Sequence, residues 1–165
     1  MILPSPFSTS RHAAAAHLRR RTVLLMIPLA ASFFLAGCAK PFPPDLLAKV
    51  EKNVTYQAFQ DEPERYDGKL LMFGGEIVET KNVDDGAWII VLQRPLDGEG
   101  RPSWTAASGG RFLILTKAFL DVDAFRRGRS LTVIGEVDGS KPMPMPLRGT
   151  EYWYPLLVAK QLYLW

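Results

Sequence analysis

The sequence predicts an all-β domain with short helices, a five-stranded Greek-key barrel that follows a targeting segment. Three observations carry that expectation. Five apolar segments between residues 69 and 165 have the patterning of strands. They come in the order three strands, a short helix, two strands. The first of them contains Gly74-Gly75, and paired glycines inside a strand mark a bulge or a sharp bend. At 165 residues the chain has room for one such domain.

Residues 1–37 read as a secretory signal peptide, with the first ten residues as an extension ahead of it. Arg19-Arg20-Arg21 precedes an apolar run from Val23 to Leu35, and small residues follow. Such a run reaches about 20 Å as a helix. A bilayer core needs about 20 residues, so a stable span is the weaker reading. Leu35-Ala36-Gly37-Cys38 matches the bacterial lipobox. In that pathway Cys38 receives a diacylglycerol on its sulfur, and cleavage falls after Gly37. Several fatty acyl chains, palmitate among them, bury enough CH₂ groups for stable anchoring at about 0.8 kcal/mol each. The alternative is an ordinary signal peptide cut near a cysteine. Ala39, in place of Asp, favours sorting to the outer membrane. Arg20-Arg21 before Thr22 loosely resembles a twin-arginine signal, although paired arginines are common in charged starts.

Residues 38–44 form a lipidated linker, stiffened by Pro41, Pro43 and Pro44 and spanning at most about 20 Å. The barrel domain occupies 45–165. Asp45–Lys52 fits a short helix with Leu46, Leu47 and Val50 on one side. Thr55–Tyr66 is a mixed stretch ending at the turn Asp67-Gly68. The first strand runs from Lys69 to Thr80, with Leu71, Phe73 and Ile77 in phase. Asp84-Asp85-Gly86 marks a hairpin. Trp88–Gln93 is apolar throughout, as for a strand buried on both faces. Residues 94–109 form a long loop, and Arg111–Thr116 the third strand. Phe119, Val122 and Phe125 have helical spacing, so Phe119–Arg127 is expected to be a helix with Gly128 as its C-cap. Leu131–Val137 is the fourth strand, Asp138–Thr150 a second loop, and Tyr154–Trp165 the fifth strand. This order is that of an OB-fold-like barrel. An open meander with a packed helix is the alternative. Closure is favoured because it removes exposed edges.

Composition excludes several functions. The net charge is +3, but four of the 20 basic residues and none of the 17 acidic ones lie before residue 38. Sixteen bases against 17 acids remain, so no polybasic case for nucleic acid survives. Both histidines, His12 and His17, fall in the signal segment, and Cys38 is the only cysteine. A mature chain acylated at Cys38 therefore lacks the groups of histidine-based catalysis, common zinc sites and internal disulfides. No cofactor, metal or catalytic residue is expected.

The chain resembles the Slp family, the starvation-inducible outer-membrane lipoproteins of Gram-negative bacteria. The resemblance rests on Pro63, Tyr66-Asp-Gly68, Phe73-Gly-Gly-Glu-Ile77, Val91-Leu-Gln-Arg-Pro-Leu96 and Gly110-Arg-Phe112. It continues through Val133-Ile-Gly-Glu-Val137, Tyr154-Pro155 and Leu164-Trp165. It implies outer-membrane attachment, handling by the lipoprotein sorting machinery, and a link to starvation or stress. It implies no catalytic residue.

Several side chains invite a sharper reading. Glu76, Glu79, Asp84 and Asp85 surround the first hairpin, and paired carboxylates can cleave glycosides. Near a turn they are more often solvated charges, and calcium-loop spacing is missing. Glu136 falls out of phase with Val133 and Val137 and is expected to face outward. Arg111, at a strand start, can pair with a strand carboxylate, and such a pair is more often structural than a ligand clamp. Trp104, Tyr152 and Trp153 are candidate ligand-surface aromatics for an envelope glycan or peptide, although rings commonly fill or rim a small barrel. Met143 and Met145, alternating with prolines, offer thioethers for Cu(I). An extended apolar loop resting on lipid or a protein partner is the blander account.

Overall fold

A computed structural model describes residues 41–165 except Leu147. The predicted signal peptide, with Gly37 and Cys38, lies outside the described residues. Five strands, β1 (Leu70–Val83), β2 (Gly86–Arg94), β3 (Arg111–Thr116), β4 (Ser130–Pro144) and β5 (Glu151–Leu164), close a barrel in the order β1-β2-β3-β5-β4. β3 and β5 run parallel, and every other neighbour is antiparallel. The expected OB-fold-like barrel is therefore the observed one.

Closure depends on β1. Its first half ladders with β4, from Leu70↔Glu136 to Glu76↔Ser130. Its second half ladders with β2, from Gly74↔Arg94 to Val83↔Gly86. Gly74, Gly75 and Glu76 pair on both sides. A Cβ on Gly74 would meet the Leu131 carbonyl at 2.7 Å, and one on Gly75 would collide with the Leu92 carbonyl. The glycines thus serve the close approach where β1 changes partners. The register irregularity itself falls just beyond them, between Ile77 and Glu79, where Val78 is the extra residue.

The period-two pattern sorts side chains as expected. Leu71, Phe73, Ile89, Val91, Phe112, Ile114, Leu131, Val133 and Leu157 fill the interior. One end is plugged by α2 (Tyr56–Asp61), a helix within the mixed stretch Thr55–Tyr66. Thr55 caps it, its Oγ1 accepting from the Ala58 N–H at 3.2 Å. Phe59 stacks on Phe73 at 5.4 Å, and Tyr56 meets Phe73 edge-on at 5.5 Å. The earlier helix, α1 (Pro44–Leu47), is a single turn rather than the expected Asp45–Lys52. The Glu51 N–H instead bonds the Leu70 carbonyl, which draws the chain onto the barrel.

Two further expectations are corrected. Residues 119–127 form turns, not a helix. The Asp121 carboxylate accepts from the N–H of Asp123 at 2.9 Å, an Asx turn that competes with helix. Asn82 clamps Leu120 through both its N–H and its carbonyl, and Thr80 Oγ1 donates to the Phe125 carbonyl. Leu120 and Phe125 pack on the core, and Phe119 and Val122 stay exposed, so helical spacing misassigned the buried face. The second correction concerns 138–150. β4 continues to Pro144 and pairs with β5 as far as Pro144↔Glu151, so most of the expected loop is a two-stranded arm. A register shift between Val137 and Ser140 turns the arm off the barrel. Gly139 takes a φ of 59° there, and its N–H donates to the Asp67 carboxylate at 2.8 Å. The prolines are tolerated because an arm edge leaves alternate N–H groups without a ladder partner.

The crossover predicts a contrast between glycines. Gly75→Ala should cost about 1–3 kcal/mol, because the neighbouring backbone must move. Gly98→Ala, with nothing within 4 Å, should stay within about 0.5 kcal/mol of wild type. Urea unfolding of the two variants measures this, and equal stabilities would contradict the crossover argument.

Candidate functional site

The arm lies along the outer face of the barrel wall. On that face Ile90, Leu113, Tyr154 and Leu156 form a second apolar cluster, with Trp88, Leu115, Met143 and Tyr152 packed against it. This explains why β2 reads as apolar throughout. Ile89 and Val91 point into the barrel, and Ile90 points under the arm. Beside the arm is an open groove of about 510 Å³. Trp88, Leu115, Met143 and Val158 form its apolar wall, and Lys117 and Lys141 stand at its rim.

The predicted ligand-surface aromatics do not form one platform. Tyr152 and Trp153 are consecutive in β5, so they face opposite sides of the arm. The Tyr152 ring meets Tyr154 edge-on at 4.6 Å, and its hydroxyl accepts from Gln60 Nε2 at 3.1 Å. Both interactions are structural. Trp153 is 62% exposed and stands free on the arm. Trp104 is 54% exposed, on the 95–110 loop, with the Arg94 guanidinium 5.8 Å from its ring centre. Arg94 Nη1 also donates to the Ala106 carbonyl at 2.9 Å. Gln93 Oε1 accepts from the Gly109 N–H, so two neighbouring β2 side chains hold this loop in place.

The charged candidates resolve individually. Asp84 and Asp85 make the exposed two-residue turn between β1 and β2. Glu76 pairs across to Leu92 and Ser130, and Glu79 to Ile90, each half-buried along the wall. Glu136 faces outward as expected and meets Lys160 Nζ at 2.8 Å. Such a half-exposed pair adds little stability. Arg111 forms no ion pair among the described residues. Its Nη1 lies 3.9 Å from the Met145 sulfur, under the arm. That cation is a poor neighbour for a Cu(I) site. Met143 is meanwhile committed to the outer apolar cluster.

Two phenols are less obvious from sequence. Tyr56 and Tyr154 are buried, and neither hydroxyl has a partner among the described residues. Burial pushes both upward from the ordinary tyrosine range. Tyr152 adds to the effect at Tyr56. At Tyr154 the Arg111 charge opposes it, and Tyr152 and Glu79 reinforce it. The Asp97 carboxyl moves the other way. The Arg101 N–H holds it below the usual carboxylate range, with help from the N–H of Glu99.

Comparison with known proteins adds to this geometry. The family model for the outer membrane lipoprotein Slp family matches residues 35–165. The chain is also 25% identical over 150 residues to the outer membrane protein Slp of Escherichia coli (strain K12), covering 83% of this chain and 79% of that one. The Gly68 N–H donates to the Val137 carbonyl and the Val137 N–H to the Lys69 carbonyl, so the Tyr66-Asp-Gly68 and Val133–Val137 segments are two sides of one junction.

Tyr154 yields a testable contrast. Tyr154→Phe removes a buried hydroxyl without a partner and should leave stability unchanged or raise it by about 1 kcal/mol. Tyr154→Ala should lower it by about 3–5 kcal/mol through the cavity left under the arm. Alkaline titration gives a second check. Folding favours the protonated phenols, so their contribution is complete below the ordinary tyrosine pKa and is lost as pH rises beyond it. Ultraviolet titration should show two of the five tyrosines ionising only with alkaline unfolding.

Proposed function

This chain belongs to the outer membrane lipoprotein Slp family, and we propose that a lipid on Cys38 holds its barrel at the outer membrane, where it acts without catalysis in envelope maintenance or the starvation response. The observation that carries this reading is where the family match begins. It starts at Leu35, so it takes in Leu35-Ala36-Gly37-Cys38 together with the whole barrel. Cleavage after Gly37 then leaves Cys38 as the first residue of the mature chain. Ala39 directs the lipoprotein sorting machinery to pass it to the outer membrane.

A non-catalytic role is supported by how the reactive groups are used. Residues 38–165 contain no histidine, and acylation occupies the cysteine. Glu136 is engaged by Lys160, and Asp84 and Asp85 are spent on a turn. Tyr56 and Tyr154 are held in the protonated form inside apolar packing. A second reading is favoured by Trp104, whose exposed ring beside Arg94 is a surface on which a sugar or a peptide side chain can stack. That reading makes the domain a binding module for an envelope glycan or peptide.

Replacing Cys38 tests the main proposal. A Cys38→Ser chain expressed with labelled fatty acid should carry no label and should leave the membrane fraction; normal labelling of that variant would refute the anchor. Binding of peptidoglycan and lipopolysaccharide fragments to the lipoprotein, followed through Trp104 fluorescence against a Trp104→Phe control, tests the second reading. No change across both classes of fragment would remove glycan from it.

A further inference from the structure

We propose that the outer face of the sheet carrying Phe42, Trp104 and Trp165 lies against the phospholipid bilayer, so that the barrel sits on its membrane in one orientation. The proposal rests on acylation of Cys38. It adds which side of the domain the lipid must emerge beside.

The tether argument comes first. Phe42 is only 2% exposed and is seated on Tyr163, with ring centres 6.1 Å apart. The Pro41 carbonyl accepts from Gln161 Nε2 at 3.3 Å. The chain is therefore pinned to the outer side of β5 from Pro41 onward. Cys38 is three residues earlier, and three residues extend at most about 11 Å. An acyl anchor at Cys38 cannot stray further than that from this face. A free tether would let the domain turn any side to the lipid, but one pinned so close to its anchor does not.

The chemistry of the face is the second, independent argument. Arg94, Gly74, Thr132 and Tyr163 are successive neighbours across β2, β1, β4 and β5. At about 4.8 Å per strand the row spans about 14 Å. Trp104 lies over Arg94 at one end of the row. In the middle, Trp165 Nε1 donates to Thr132 Oγ1 at 3.0 Å, and the Arg101 guanidinium lies 4.9 Å from the Trp165 ring. Tyr163, 37% exposed, stands at the other end and meets Trp165 edge-on at 4.7 Å. Trp and Tyr carry an apolar body and a polar tip, the combination that collects at the headgroup level of bilayers. Arg101, exposed, puts a guanidinium where headgroup phosphates lie, and Arg94 holds the loop beneath Trp104 through the Ala106 carbonyl. Asp97 and Glu99 are both exposed acids on the covering loop, and Asp97 Oδ1 accepts from the N–H groups of Glu99 and Arg101.

The competing apolar residues are Phe119 and Val122, 67% and 48% exposed, and Trp153, 62% exposed on the arm and ten residues before Tyr163 in β5. The loop of Phe119 and Val122 is held at Asn82, eight residues further along β1 than Gly74, a contour of about 26 Å along a bent strand, and no contact joins it to Pro41-Phe42 among the described residues. The Asp84-Asp85 turn lies further along β1 still, and its two acids are matched by Lys117 and Lys141 at the rim of the neighbouring groove.

Introduced cysteines read the orientation directly, because the Cys38 sulfur is blocked in the acylated protein. Full-length chains with Glu99→Cys, Thr105→Cys, Asp85→Cys or Ala118→Cys, all at exposed positions, are purified from the outer membrane and labelled with bimane. They are reconstituted into phosphatidylethanolamine and phosphatidylglycerol vesicles carrying a shallow spin-labelled lipid. Quenching at 99 and 105 should exceed that at 85 and 118 at least threefold. Equal quenching at all four sites, or stronger quenching at 85 or 118, overturns the orientation. Mass spectrometry and vesicle flotation separate the two failures. An acylated chain that floats with uniform quenching defeats the orientation alone, and a chain that neither carries acyl groups nor floats defeats the anchor and the orientation together.

Discussion

The close approach of backbones at Gly74 and Gly75 is the constraint on which this fold depends. β1 must ladder with β4 on one side and β2 on the other, and around residues 74–76 it does both at once. There the Leu131 and Leu92 carbonyls occupy the space a side chain would need. Without that approach the sheet has two open edges. With it, the alternating residues of five strands face a common interior, and the outward residues are forced to find other cover.

That cover is where this barrel departs from a bare five-stranded design. On the β2–β3–β5 side it is the arm formed by the ends of β4 and β5, which closes over Ile90, Leu113, Tyr154 and Leu156. On the β1–β4–β5 side it is the 95–103 loop and the segment Pro41-Phe42. The Gly100 carbonyl accepts from Thr132 Oγ1, and a Cβ on Gly100 would touch Met72. Single side chains fix each cover. Asp67 holds the bulge at Gly139, Gln93 and Arg94 hold the long loop, and Asn82 holds the β3–β4 turns. Few of these contacts are charged pairs. Most are side chains bonding backbone, which suits a domain with nearly equal numbers of acids and bases.

The membership of the outer membrane lipoprotein Slp family and the architecture meet at the N-terminal edge of the barrel. The family match begins ahead of the cysteine and runs to the last residue, so it spans Leu35–Cys38 and the barrel together. Pro41 and Phe42, the first described residues, are part of the outer cover. The aromatic residues then divide by role. Tyr56, Phe59, Phe73 and Phe112 build one end of the core, Tyr152 and Tyr154 seat the arm, and Trp104, Tyr163 and Trp165 sit on the tether's side.

The division between what sequence determines and what folding decides follows the range of the interactions. The proposed lipidation site, Cys38, is legible from residues 35–38 alone, because a lipobox is a short local segment. The charge partition, the phase of the strands and the Asp84-Asp85 turn are likewise local, and each is legible without coordinates. The β4–β5 arm, the turns over 119–127 and the helix at Tyr56 are not. Met143 and Pro144 look like loop until β5 offers them a partner. Phe119, Val122 and Phe125 look like a helix face until Asn82 and Thr80, some 40 residues earlier, take the backbone groups a helix would have used. Tyr152 and Trp153 look like one aromatic surface until the pleat of β5 turns them apart. Sequence determined the address and the alternation of the strands. Only the closed barrel decided which outward residues are covered and which stay exposed, because the covering segments lie far from them in the chain.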